Sequence, residues 1–297
     1  MRVLISGASG LIGTEVAKQL REGGHEPLRL VRRAAVAADE VFWNPEKLEL
    51  DPQVLNTVDA VVNLAGATTG KIPWTAAYKK EIVASRLNST KTLVEAMKAA
   101  TNKPKVFVSG SAAGFYGEAG DQLLDENAPK GTGFLSDLAA EWEQQALQAP
   151  TGVRVVLVRT TMVMSRKLGA LGRLLPLLRL GVGGALGSGK QWWAWISLPD
   201  EARAIIHLIN NSDAVGPYNL TAPEPATCGQ IIDGLAKALH RPAWFKVPAF
   251  ALRLLLGEVS DEILLCSQKM TADRLLATGF EFEHPTLQQA CDWVVAK

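Results

Sequence analysis

Three glycines near the start of the chain are spaced to bind a phosphate. They follow an apolar run at residues 2–6 and precede a stretch with helical periodicity. Glycine has no Cβ, so it permits both a sharp turn and a close approach of a ligand to the backbone. Free N–H groups at the start of the helix would face the anion. The pattern predicts a pyrophosphate-binding turn, with a tight turn that holds no ligand as the alternative; its residues are Gly7, Ser9, Gly10, Leu11, Ile12 and Gly13.

The two residues after the second predicted strand indicate which nucleotide would bind. Arg32 lies nineteen residues beyond Gly13 and is followed by Arg33, where an Asp or Glu usually binds the adenosine ribose. A guanidinium can instead bind a 2′-phosphate, which is worth roughly 1.5–3 kcal/mol, or about one to two decades of affinity. These arginines therefore predict NADP as the cofactor, with a solvated basic pair as the alternative.

Short apolar runs alternate with helical patterns over the first half of the chain. This alternation predicts an α/β fold with a doubly wound parallel sheet. Because ligands lie beyond the carboxyl ends of such strands, we expect Leu64, Ala65 and Gly66 to border the cofactor, unless they form a simple turn after a buried strand. The predicted strands are residues 2–6, 28–31, 40–43, 58–66, 105–109 and 153–159.

The sequence changes character after Arg159 and becomes mostly helical. Residues 168–180 have a helical pattern, and a glycine-rich loop follows at 181–189. We predict an NADP-binding domain over residues 1–165 and a smaller substrate domain over 166–297. The segments near 199–221 are expected to return to the large sheet.

Composition excludes several classes of protein. The 297 residues carry a net charge of +1, which predicts neither a nucleic-acid partner nor a membrane partner. The three cysteines and four histidines show no metal-ligand spacing, so no metal site is expected. An N-terminus that enters a strand at once, together with the absence of a long apolar run, predicts a cytoplasmic protein without a signal peptide or membrane span. The sequence makes no prediction of oligomeric state.

Several motifs together resemble one protein family. The chain is similar to the extended and atypical short-chain dehydrogenases/reductases, and more narrowly to the NAD(P)-dependent sugar-nucleotide epimerase-like proteins. The resemblance covers nearly the whole chain and implies a Rossmann domain, a helical C-terminal substrate domain and a cleft between them. The motifs that carry it are Ser6-Gly-Ala-Ser-Gly-Leu-Ile-Gly13, Asn63-Leu-Ala-Gly66, Trp74 with Ser85-Arg86, Gly110-Ser-Ala with Tyr116-Gly117, the run from Gly187 to Ile196, Asn219 to Pro225, and Leu254-Leu-Leu-Gly257.

The resemblance also implies further cofactor contacts. Besides Arg32, Leu64 and Ala65, these come from Glu81, Arg86 and the backbone near Val163. For Glu81, a solvated helix face is the alternative. Arg86 is a stronger candidate, since a cation at this position could reach a phosphate.

The catalytic pattern of the superfamily is incomplete in this sequence. These enzymes combine a hydroxyl residue after the fifth strand with Tyr-x-x-x-Lys on the next helix, where the lysine lowers the pKa of the tyrosine. Ser111 matches the hydroxyl residue, with Ser109 as a rival. The helix beginning near Gly133 contains neither tyrosine nor lysine. Tyr116 is the nearest substitute, and a ring packed over the cleft floor is the alternative.

Residues after the sheet could bind a substrate. Gln191, Trp192 and Trp193 could line a cleft, with Trp195 nearby, because indoles stack on sugars or bases and donate N–H bonds. Their alternative is core between the two domains. Arg159 could bind a phosphate or belong to a structural network. Two functional hypotheses follow: an NADP-dependent oxidoreductase or epimerase-like enzyme acting on a small polar substrate such as a nucleotide sugar, or a non-catalytic NADP(H) sensor.

Overall fold

A parallel sheet of seven strands forms the centre of the molecule. The computed structural model describes residues 1–166 and 171–296. The strands are β1 Arg2–Ser6, β2 Glu26–Val31, β3 Glu40–Phe42, β4 Ala60–Asn63, β5 Val106–Ala112, β6 Leu123–Leu124, β7 Arg154–Thr160, β8 Met162–Met164, β9 Trp195–Ser197, β10 Gly216–Leu220 and β11 Lys269–Met270. The helices are α1 Leu11–Glu22, α2 Ala76–Ala99, α3 Phe134–Ala146, α4 Leu171–Arg179, α5 Leu198–Asn210, α6 Cys228–Ala238, α7 Ala249–Leu256, α8 Asp273–Leu276 and α9 Leu287–Val295.

The strand order places the start of the chain at the centre of the sheet. The order is β10-β7-β5-β4-β1-β2-β3, with every neighbouring pair parallel. From β1 the chain adds β2 and β3 on one side of the sheet. It then crosses back and adds β4, β5, β7 and β10 on the other side. A crevice therefore opens beyond the carboxyl ends of β1 and β4, where the order reverses. The predicted doubly wound Rossmann fold is confirmed.

Helices cover both faces of this sheet because successive side chains along each strand point to opposite sides. Val3 and Ile5 pack in a core with α1 and α5, whereas Leu4 packs in the core that contains α2 residues and Ala146 of α3. The large sheet is thus buried on both faces. α5 contacts α1, and β10 pairs with β7, so the chain returns over residues 198–220 to pack against the large sheet and add its last strand.

A smaller helical lobe packs beside the sheet. Its core combines leucines of α4 with buried residues of α6 and α9 and with Trp193 and Trp195. The helix predicted over residues 168–180 corresponds to α4, except that 168–170 lie outside the described residues. None of the helices within the described residues is both long and apolar enough to cross a bilayer.

The ends of β4 and β5 each differ by three residues from the predicted ends at 66 and 109, for physical reasons. β4 ends at Asn63, because beyond it the amide of Leu64 is shared between the carbonyl oxygen and the hydroxyl of Ser6, and that of Ala65 bonds the hydroxyl. β5 continues to Ala112 because β7 pairs with it as far as Thr160. The small polar residues at the end of β5 carry too little hydrophobic pattern for the sequence to reveal this extension.

Glu201 of α5 is fully buried against the sheet. The hydroxyl of Thr160 donates to its Oε1 at 2.7 Å, and Oε2 has no hydrogen-bond partner within the described residues. Burial raises the pKa of Glu201 to about 8, and the Thr160 bond opposes that rise. Since the pKa in an unfolded chain is about 4.3, the folded state binds the extra proton between these values. The contribution of Glu201 to stability is therefore fully present below about pH 4.3 and falls as the pH rises toward 8.

We expect Glu201→Gln to flatten this pH dependence, because the amide is similar in shape and does not titrate. The free energy of unfolding of the wild type should fall relative to that of the variant between pH 5 and 8, by up to about 1.4 kcal/mol per pH unit. Urea denaturation at several pH values measures both proteins. Parallel pH profiles would contradict a buried, protonated Glu201.

Candidate functional site

The glycine turn between β1 and α1 leaves no space for side chains. Gly7 has a φ of +69°, and a Cβ there would lie 2.6 Å from the carbonyl oxygen of Leu64. A Cβ on Gly13 would lie 2.3 Å from the oxygen of Gly7. Both contacts are far inside van der Waals distance and involve backbone atoms that cannot move aside easily. Glycine is therefore required at these two positions by packing as well as by any ligand.

The start of α1 is open to an anion. Ser9 and Gly10 are exposed, and within the described residues no side chain caps the helix at Gly10. The N–H groups of the first turn and the positive end of the helix dipole thus face the crevice. The turn brings together the six residues predicted to bind pyrophosphate, and the geometry fits that group.

The neighbouring strand end forms the wall of the crevice. Ser6 accepts hydrogen bonds from Leu64 N and Ala65 N at 3.2 Å each and donates to Asn63 Oδ1 at 2.6 Å. The two wall amides are thereby used inside the protein. Leu64, Ala65 and Gly66 can contribute shape to a binding site, while the open amides belong to the start of α1.

Arg32 and Arg33 have different surroundings. Arg33 donates to both carboxylate oxygens of Glu40 at 2.8 and 2.7 Å. These bonds and that of the Val36 amide hold the pKa of Glu40 at about 2. Arg32 is exposed and makes no hydrogen bond or ion pair within the described residues. Its guanidinium is therefore free to bind a phosphate, whereas that of Arg33 is neutralised.

A second cation without an acidic partner lies beside the wall. Arg86 donates to the carbonyl oxygens of Ala67 and Ile82 at 3.0 and 3.1 Å, and its guanidinium lies 3.1 Å from the place of a Cβ on Gly66. Burial lowers its pKa to about 10, and no ion pair forms within the described residues. A partly buried cation without an acidic partner favours an anionic ligand. Glu81, five residues earlier on α2, is exposed.

Val163 lies on β8, away from the glycine turn along the chain. It pairs with Ile196 of β9 and is 9 % exposed. Its side chain belongs to the core that also contains α1 and α5. Only its backbone was implicated by the sequence, and that role stays a prediction.

A buried ion pair joins β7 to α3. The guanidinium of Arg159 donates from Nε to Glu143 Oε1 at 2.9 Å and from Nη2 to Oε2 at 3.0 Å. Ser111 donates to the same Oε1 at 2.6 Å. Both charged side chains are less than 10 % exposed. Arg159 thus has a structural partner, which corresponds to the structural alternative given for it above.

Tyr116 extends this network to β10. Its hydroxyl accepts from Arg159 Nη1 at 2.8 Å and donates to Asn219 Oδ1 at 2.7 Å. The residue is 2 % exposed, and burial raises its pKa to about 12, against the opposing effect of Arg159. A tyrosine that stays protonated and buried cannot act as a base at neutral pH. The hydroxyl proton of Tyr116 is already donated to Asn219, so its catalytic role stays a prediction and would require this bond to break.

The predicted substrate residues tie the smaller lobe together. Gln191 Nε2 donates to the oxygens of Leu186 and Leu264 at 3.0 and 2.9 Å, and Trp193 Nε1 donates to Leu264 at 3.1 Å. Trp192 is more exposed, and its Nε1 donates to Asp121 Oδ1 at 2.7 Å. Direct contact with a substrate stays a prediction for these three residues, and only Trp192 presents appreciable surface.

Residues 3–221 match the NAD dependent epimerase/dehydratase family, a span that includes all of the large sheet except Arg2. The chain belongs to this family. Residues 247–294 match a domain of unknown function, DUF1731. This second match falls on the end of the smaller lobe.

Individual members of the family match nearly the whole of this chain. An epimerase family protein of Mycobacterium leprae, ML0860, is 40 % identical over 296 residues, covering 99 % of this chain and 96 % of that protein. The crystal structure of human epimerase family protein SDR39U1 with NADPH matches with a TM-score of 0.93 at 32 % identity and covers 99 % of both chains. A nucleoside-diphosphate sugar epimerase of Corynebacterium glutamicum matches with a TM-score of 0.79 at 29 % identity, over 98 % of this chain and 57 % of that one.

The DUF1731 region reaches back to the helix on which the superfamily carries its catalytic tyrosine and lysine. Glu262 accepts hydrogen bonds from Phe134 N and Leu135 N at 3.0 Å each, so its carboxylate caps α3. A Cβ on Gly133 would lie 2.6 Å from Glu262 Oε1. The carboxylate therefore occupies the space that a side chain at the start of α3 would need. The sequence carries no local signal for this contact, since the partners are 128 residues apart.

We expect Glu143→Ala to destabilise the protein by about 3–5 kcal/mol, because it leaves the buried Arg159 without a carboxylate. Asp137→Ala is the matched control on the same helix, since its pair with Lys130 is exposed. That variant should lose less than about 1 kcal/mol. Urea denaturation measures both free energies of unfolding, and similar losses would show that the Glu143–Arg159 pair stabilises no more than a surface pair.

Proposed function

We propose that this chain binds NADP(H) in the crevice between β1 and β4. The supporting observation is the free guanidinium of Arg32 beside an open glycine turn. The turn would hold the pyrophosphate and Arg32 the 2′-phosphate. The human relative crystallised with NADPH supports the same cofactor. Arg33 would add less, because Glu40 already binds it.

We further propose that the protein is an oxidoreductase or epimerase-like enzyme for a small polar substrate such as a nucleotide sugar. The bound nicotinamide would supply hydride transfer. The name of the Corynebacterium relative, a nucleoside-diphosphate sugar epimerase, supports this substrate class. Ser111 would accept a hydrogen bond from the substrate while it donates to Glu143. Gln191, Trp192 and Trp193 would shape the side of the cleft formed by the smaller lobe.

A specific observation favours a second function, a non-catalytic NADP(H) sensor. Ser111 and Tyr116, the two hydroxyl residues nearest to the superfamily pattern, both donate into the buried network of Glu143 and Asn219. A protein arranged in this way would hold the nucleotide and report its state to a partner. The absence of Tyr-x-x-x-Lys supports this alternative as well.

A reducing, cytoplasmic environment suits the cysteines. Cys228, Cys266 and Cys291 are free and buried, and burial raises their thiol pKa values to about 11, 12 and 12. Such thiols are poor nucleophiles and form few disulfides. We therefore propose that the protein is cytoplasmic, and the cysteines give no indication of a redox function.

We expect Arg32→Ala to weaken NADPH binding about 10- to 100-fold and to leave NADH binding nearly unchanged, because only NADPH carries the 2′-phosphate. Arg33→Ala is the matched control and should weaken NADPH binding less. Isothermal titration calorimetry with both nucleotides measures these affinities. Equal losses for NADH and NADPH would mean that Arg32 does not recognise the extra phosphate.

A panel of carbonyl compounds and nucleotide sugars separates the enzyme from the sensor. Oxidation of NADPH or conversion of one compound would establish turnover. Ser111→Ala should then abolish most of that turnover while the affinity for NADPH stays the same. Tight NADPH binding without conversion of any compound would favour the sensor, and unchanged turnover in the variant would remove Ser111 from the mechanism.

A further inference from the structure

The smaller lobe exposes a large apolar surface. Its exposed fractions are 85 % for Trp244, 84 % for Leu254, 76 % for Leu180 and 72 % each for Phe250 and Leu255. Phe245 contributes a further ring at 59 %. Since each aromatic side chain presents about 150–250 Å², the three rings alone expose roughly 400 Å². With the leucines, this surface exceeds the 300–600 Å² typical of the largest patch on a monomer.

Two segments of chain form this surface, and hydrogen bonds hold them side by side. Val247 N donates to Ala185 O at 3.0 Å, and Gly187 N donates to Val247 O at 2.8 Å. Arg241 Nε donates to Arg179 O at 3.1 Å. The end of α4 and its loop therefore lie directly against the segment that leads into α7.

Only part of the apolar surface of helix α7 is buried in the protein core. Leu252 packs inside the smaller lobe at 6 % exposure, whereas Phe250, Leu254 and Leu255 point outward. All residues of α7 except Arg253 are apolar, and a helix with apolar side chains on most of its faces is normally covered on those faces. The outer side of α7 thus lacks a cover within the described residues.

The charge of these two segments is entirely basic. Residues 171–190 and 240–257 contain six cations, Arg173, Arg179, Lys190, Arg241, Lys246 and Arg253, and no acidic residue. The rest of the chain then holds 25 basic and 30 acidic residues. Arg179, Arg241 and Lys246 are exposed, and Arg253 pairs with Asp261. The net charge of the whole chain concealed this asymmetry, because the remainder is acidic.

We propose that this basic apolar face, formed by Leu180, Trp244, Phe245, Phe250, Leu254 and Leu255 with Arg179, Arg241 and Lys246, docks on an anionic phospholipid surface. The apolar side chains would enter the interface between headgroups and acyl chains, and the cations would lie near the phosphates. The protein would bind at the surface of the bilayer and not cross it. The proposal is independent of nucleotide binding and replaces the expectation from net charge that no membrane partner exists.

The charge pattern favours a bilayer over a second copy of the chain. A twofold interface would place the same cations of both copies around one axis, and neither segment offers an acid to pair with them. An anionic lipid surface neutralises these cations as they approach. The affinity of the protein for such a surface should therefore depend on both the apolar side chains and the salt concentration.

Vesicle flotation with the full chain tests the proposal. The wild type should bind phosphatidylcholine vesicles that contain phosphatidylglycerol, bind vesicles of pure phosphatidylcholine weakly, and dissociate as salt is added. Leu254→Asn combined with Leu255→Asn should weaken binding at least tenfold. Leu147→Asn is the matched control, an exposed leucine of the α3 end outside the face, and should bind as the wild type does.

A second variant tests the cations alone. Arg179→Ala with Lys246→Ala should weaken binding to the anionic vesicles by roughly fivefold per removed cation. Thermal melting monitored by circular dichroism verifies that each variant is folded, which is expected because every substitution is at the surface.

Four outcomes would overturn the proposal. The first is no binding of the folded wild type to anionic vesicles at low salt. The second is equal binding to both kinds of vesicle, and the third is unchanged binding of the folded asparagine variant. The fourth is a dimer in light scattering that the asparagine variant dissociates while no protein floats with vesicles, because the face would then join two copies of this chain.

Discussion

The bidentate pair between Arg159 and Glu143 is the interaction on which the carboxyl ends of β5 and β7 depend. It joins β7 to α3, and Ser111 of β5 and Tyr116 attach to the same two charges. The cost of burying a carboxylate and a guanidinium is offset only while the two groups are paired with each other. The hydroxyl groups closest to the superfamily's catalytic pattern are therefore held by a requirement of the fold. Any chemistry at this site has to leave that network intact or replace its hydrogen bonds.

The distribution of cations follows a simple electrostatic rule. Where an acid is present, as for Arg33 with Glu40 and Arg159 with Glu143, the guanidinium is fixed within the protein. Arg32 and Arg86, which border the crevice, have no such acid within the described residues. An anionic ligand would complete the charge balance there. The two segments that form the basic apolar face likewise carry cations without acids, but there the cations lie beside exposed aromatic side chains on the outer surface.

The two lobes are coupled through the start of α3. Glu262, from the DUF1731 region, caps this helix and fills the space beside Gly133. Lys79 of α2 makes a further contact with Glu258 at 2.6 Å. The family match over residues 3–221 therefore covers nearly the whole of the large sheet. The DUF1731 region, which follows that match, provides the carboxylate beside the first turn of α3.

Local pattern was sufficient to predict the sheet, the glycine turn and a pair of cations after β2, but not that Glu40 binds Arg33 and leaves Arg32 free. Their signals lie within about 30 residues: an apolar strand, glycines where no Cβ fits, and a cation directly after β2. Tertiary structure alone decided the partners of Ser111, Tyr116 and Arg159, the cap from Glu262, and the surface shared by α4 and α7. Each of these depends on groups brought together from distant parts of the chain. The cost of burying a charge or exposing an apolar side chain is set by that final environment, which no stretch of sequence contains by itself.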